Sequence, residues 1–73
     1  MSNYAGNETL RAEVAVLEDA IYMIRKQLSS MERRLDKADT LTERLARQSV
    51  CRTNALLLEA YREALALDAC FKD

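Results

Sequence analysis

The sequence predicts an all-α fold: a long helical hairpin that assembles as a homodimer into a four-helix, coiled-coil-like bundle. Three observations carry that expectation. The 73 residues include no proline and one glycine, so turn vocabulary is almost absent while Ala, Leu, Glu and Arg abound. Apolar residues recur in heptad steps over most of the chain. Their density is highest in two separated segments, eleven of fifteen residues over 10–24 and thirteen of seventeen over 55–71, which a chain reversal near residue 39 would bring together.

The elements follow in order. Residues 1–7 read as a loose leader ended by Gly6 and Asn7, with Asn7 placed to cap a helix and Glu8 to complement its dipole. Leu10, Val14, Leu17, Ile21, Ile24, Leu28, Met31, Leu35 and Ala38 then alternate spacings of four and three, defining helix 1 over about 8–38. A second stripe, Ala46, Val50, Thr53, Leu57, Ala60, Ala64, Leu67 and Phe71, obeys the same rule out of phase. Carrying the first stripe onward would bury Arg52, Glu59 and Glu63, so the register resets between residues 38 and 46.

Thr40-Leu41-Thr42-Glu43 has the pattern of a capping box, which gives a turn near 38–41 and helix 2 over about 40–71. Asp39 is the competing cap. Residues 8–73 then make one helical domain. Ser29-Ser30-Met31-Glu32 carries the same pattern inside helix 1, and nothing enforces a break. The alternative is therefore a continuous helix with a one-residue skip, forming an antiparallel two-stranded coiled coil. Length separates the two: about 45 Å for a hairpin and about 95 Å for an unbroken helix, at about 1.5 Å per residue.

Size argues for a second subunit. A core of this scale rarely supplies more than about 3–5 kcal/mol without a metal, a disulfide or a partner chain. The chain has no His, and Cys51 and Cys70 lack zinc-site spacing. A disulfide suits a long cytosolic-looking helix poorly. Association remains, with Val14, Leu17, Ile21, Ile24, Leu57, Leu58, Tyr61, Leu65 and Phe71 as the expected oligomer interface. Asn54, between Val50 and Leu58, resembles a polar register device.

Chemistry finds little support. Without imidazole the chain lacks the commonest general base and the Glu-x-x-His pattern of di-iron bundles. Glu59 with Glu63, and Glu32 with Asp36, read as solvated helix faces. Cys51, near Arg47 and Arg52, reads as a semi-buried structural thiol rather than a nucleophile. No glycine-rich loop cradles phosphate. No catalytic residue, metal or cofactor is expected. The apolar runs at 21–24 and 55–58 are far too short to span a bilayer, and the uncharged start is no signal peptide, which makes a cytoplasmic setting the default.

Two surfaces remain. Val16, Tyr22 and Met23 fall outside the first stripe and suit a protein partner's groove. The second surface is electrostatic: residues 1–19 carry a net −3, residues 59–73 a net −2, and residues 20–58 a net +4. A hairpin concentrates the positive charge at its turn, through Arg25, Lys26, Arg33, Arg34, Lys37, Arg44, Arg47 and Arg52. Glu32, Asp36, Asp39 and Glu43 are interleaved and positioned to neutralise it. The leading expectation is a small non-enzymatic module that acts as inhibitor, anti-activator or adaptor by occupying a surface of a larger protein. Binding of RNA, DNA or a nucleotide at the basic turn end is the alternative, and a purely structural coiled-coil assembly protein the third.

Overall fold

A computed structural model describes residues 7–37 and 39–71. Two helices, α1 (Glu8–Arg34) and α2 (Leu41–Ala69), pack against each other as an antiparallel hairpin. The Cα envelope measures 58 × 14 × 13 Å, far short of an unbroken helix of this chain length. Residues 1–6 of the expected leader, Ala38 of the first stripe and the end of the domain at 72–73 lie outside the described residues.

The local reasons are legible at each helix end. Asn7 occupies the N-cap position of α1 and its carbonyl accepts from the Arg11 N–H at 2.9 Å, but its side chain makes no capping bond. Helix α1 stops at Arg34, four residues before the expected end. There the Leu35 N–H donates to the carbonyls of both Met31 and Glu32, and the Asp36 N–H to that of Arg33, so the last turn tightens and the helix closes. Arg33 and Arg34 lie in that turn, where cations favour the helix dipole. Helix α2 begins at a complete capping box. Thr40 Oγ1 accepts from the Glu43 N–H at 3.1 Å, and Glu43 Oε1 accepts from the Thr40 N–H at 3.4 Å. Thr40, not Asp39, is the cap. The same pattern at Ser29–Glu32 breaks nothing, and helix α1 runs through it.

Asn54 fixes how the helices interlock. Its Oδ1 accepts from Arg25 Nε at 2.9 Å, and its Nδ2 donates to Ser29 Oγ at 3.3 Å and Glu32 Oε1 at 3.4 Å. Residues 25, 28, 29 and 32 are the four corners of a coiled-coil hole, and Asn54 is the knob. Every seam position from there is a heptad step away. In α1 these are Arg11, Val14, Glu18, Ile21, Arg25, Leu28, Glu32 and Leu35; in α2 they are Val50, Asn54, Leu57, Tyr61, Ala64, Asp68 and Phe71. All of them are buried or half-buried.

This seam differs from the two predicted stripes by one residue of rotation. Val14, Ile21, Leu28 and Leu35 of the first stripe enter it, as do Val50, Leu57, Ala64 and Phe71 of the second. The other half of each stripe stays out: Leu10, Leu17, Ile24 and Leu67 are 45%, 48%, 47% and 40% exposed, and Thr53 and Ala60 are exposed too. In their place the seam takes a polar column, Arg11, Glu18, Arg25 and Glu32 facing Asn54, Tyr61 and Asp68. In an antiparallel pair the two apolar columns lie on one side of the seam and the two polar columns on the other. The hairpin thus has an apolar face and a polar groove on opposite sides.

Candidate functional site

The apolar face is built from both helices. Leu10, Leu17, Ile24 and Met31 form its α1 edge, and Ala46, Thr53, Ala60 and Leu67 its α2 edge, flanking the apolar half of the seam. The two stripes expected from sequence are therefore real, but they form one surface four columns wide instead of two closed seams. Of the expected oligomer interface, Leu17 and Ile24 lie on this face. Val14, Ile21 and Phe71 are buried within the chain, Leu57 is half-buried in the seam beside them, and Tyr61 belongs to the polar column. Leu58 and Leu65 flank the seam on the groove side, opposite the apolar face.

The expected protein-binding trio is divided. Val16 and Met23 stand one heptad apart on the back of α1, away from α2, and are 70% and 60% exposed. A shallow apolar groove beside Val16 is lined by Thr9, Ala12, Leu17 and Ala20. Tyr22, although next to Met23 in sequence, points round the helix to the polar side, where it lines a groove with Arg25, Lys26, Ser29 and Arg33. One residue on a helix is about 100° of turn, which is why adjacency in sequence does not make a patch here.

The polar groove is differentiated along its length. Its open end is lined by Glu8, Arg11, Glu18 and Asp68, three carboxylates to one guanidinium. Toward the turn, Asp36, Arg44, Arg47, Gln48, Cys51 and Arg52 line one groove, and Tyr22, Arg25, Lys26, Ser29 and Arg33 line another. Six of the eight basic residues singled out from sequence line these two grooves, while Arg34 and Lys37 line neither.

The interleaved acids do not neutralise this end as expected. Glu32 turns into the seam to accept from Asn54, and Glu43 is held by the Thr40 cap. Among the described residues Asp36 is the one of these acids that makes an ion pair, with Arg47 at 3.3 Å. Lys26, Arg33 and Arg44 make no ion pair among the described residues. Arg52 donates only to the Ser49 hydroxyl, at 3.4 Å, and Arg25 to the Asn54 amide oxygen.

The remaining candidates settle as surface chemistry. Glu59 pairs with Arg62 at 2.7 Å in an exposed position. Cys51 is exposed rather than semi-buried, because residue 51 lies one step round from the seam residue Val50, and it lines the basic groove. Cys70 is likewise exposed, and both thiols are free. Among the described residues no group of three His, Cys, Asp or Glu is placed to hold a metal ion. No described helix is long and apolar enough to cross a membrane.

Comparison with known proteins places relatives but no mechanism. The family model described as YubE matches residues 6–71 of the chain. A protein of Escherichia coli (strain K12), named "Uncharacterized protein YubE", is 51% identical over 72 residues, covering 97% of this chain and 99% of its own. No solved structure matches.

Proposed function

We propose that this chain, which belongs to the YubE family, is a non-enzymatic protein-interaction module that works as a homodimer. In that form it acts as an inhibitor, anti-activator or adaptor by occupying a surface of a larger protein. The supporting observation is the distribution of apolar surface. Among the described residues five apolar side chains are buried, whereas Leu10, Leu17, Ile24 and Leu67 stand exposed on one face. A second copy seated face to face would cover that face and complete a four-helix bundle. Val16 and Met23 lie outside such a contact and remain available to another protein. Exposed Met and aliphatic side chains adapt to partner grooves of varied shape.

The test is capture from nuclease-treated host extract, comparing the wild-type chain with a Val16→Ser/Met23→Ser variant. The expected result is a protein retained by the wild type and lost by the variant, with helicity and mass unchanged. Identical captured sets would overturn the assignment of that surface.

A further inference from the structure

We propose that the turn half of the polar groove binds the phosphodiester backbone of nucleic acid without reading its sequence. This goes beyond protein capture, although the two surfaces adjoin, since Met23 lines a groove with Lys26 and Arg33. Arg25, Lys26 and Arg33 of α1 line one groove, and Arg44, Arg47 and Arg52 of α2 line another nearer the turn, with Asp36 of α1 at its edge. In the register set by Asn54 and by the Arg47–Asp36 pair, Arg44 stands level with the turn, so the charges are spread over about 20 Å of helix axis. A nucleic-acid strand presents a phosphate about every 3.4 Å, so this span meets about six of them.

The turn half keeps a positive excess, a net +4 over residues 20–58, and one of these six bases, Arg47, makes an ion pair among the described residues. Glu32 accepts from Asn54 inside the seam, and Glu43 closes the capping box. Asp36, paired with Arg47, is the one carboxylate lining the basic stretch. The other five bases have no acidic partner among the described residues. The open end of the groove, with Glu8, Glu18 and Asp68, repels phosphate and confines the ligand to the turn half.

A protein ligand fits this stretch less well. Protein interfaces centre on buried apolar or aromatic anchors, and the groove around Arg44, Arg47 and Arg52 has no large apolar side chain. Tyr22, at the rim, is the one aromatic residue lining the stretch, too little for stacking along a run of bases. Backbone contact without base readout is what these residues can make.

The experiment measures binding of labelled duplex DNA, single-stranded DNA and duplex RNA of mixed sequence, with poly-glutamate as a polyanion control, over 50–200 mM salt. The expected result is micromolar nucleic-acid binding with a log–log salt slope of about −4 to −5 for duplex DNA, at about −0.9 for each of the five bases without an acidic partner. Lys26→Gln/Arg33→Gln/Arg44→Gln should abolish it. Arg62→Gln, outside the basic stretch and paired with Glu59, should leave it intact. If the triple variant loses helicity, the single variants serve, each flattening the slope by about one unit. Absence of binding at 50 mM salt, equal binding of poly-glutamate, or equal loss in Arg62→Gln would each overturn the proposal. Preference among the three nucleic acids would identify the source of the phosphate.

Discussion

Asn54 Oδ1 accepts a 2.9 Å hydrogen bond from Arg25 Nε, joining two helices across twenty-nine residues of sequence. The amide is 8% exposed, and its nitrogen is engaged as well, by Ser29 and Glu32. Asn54→Ala removes a donor and an acceptor at once and strands the partly buried Arg25 Nε. The expected loss is about 1–3 kcal/mol of stability, read from denaturant unfolding. A double-mutant cycle with Arg25→Met, which keeps most of the aliphatic stem, should return a coupling of about 0.5–3 kcal/mol. Additive single effects would show that the bond contributes nothing specific.

Much of this hairpin is readable from residue order, and the part that is not has a physical cause. The heptad stripes, the reversal near residue 39 and the Thr40–Glu43 box all follow from local spacing. The rotation of each helix about its axis does not. Val14, Ile21, Leu28 and Leu35 can face a neighbour with the Leu10–Leu17–Ile24 column beside them or with the Arg11–Glu18–Arg25–Glu32 column. Hydropathy favours the first and the structure takes the second. A signal was present in the strict seven-residue spacing and alternating sign of those four charged residues. Its meaning depends on what α2 brings opposite, Asn54 and Asp68 above all, and that is a tertiary relationship. The same rotation separates Tyr22 from Met23 and turns Glu32 into the seam, where the Asn54 amide stands between it and Arg25.

Glu18 marks the weak layer of the polar column. Its Oε1 is buried without a hydrogen-bond partner among the described residues, whereas Arg25, at the equivalent position one heptad on, bonds through Nε to Asn54. A buried polar atom left unmet costs about 1–3 kcal/mol. Glu18→Leu removes that cost and extends the apolar contact, so the thermal midpoint should rise by several degrees. A fall of similar size would mean that the carboxylate has a partner in the assembled protein.

Thr40 and Glu43 satisfy each other's backbone donors at the start of α2. Both are exposed, so replacing Thr40 tests the cap with little packing change. Thr40→Ala should cost about 1 kcal/mol, whereas Thr40→Ser, which keeps the acceptor oxygen, should cost a few tenths at most. Equal losses for both variants would attribute the effect to the methyl group instead.

The apolar face makes the most exposed claim, that the protein is a dimer in solution. Leu17 and Ile24 lie midway along its α1 edge, one heptad apart and about half exposed in the single chain. Fully burying a side chain of this size gains about 1.5–3 kcal/mol, and a two-fold arrangement counts each residue twice. The wild-type protein should therefore sediment at twice the 8.3 kDa chain mass at micromolar concentration. Leu17→Glu with Ile24→Glu places four carboxylates in that contact and should give the monomer mass. Val16→Glu, on the back of α1, should leave the dimer intact. A wild-type monomer would overturn the assignment, and so would dissociation by Val16→Glu with no effect of the Leu17 and Ile24 changes, because the contact would then lie on the back of the helix.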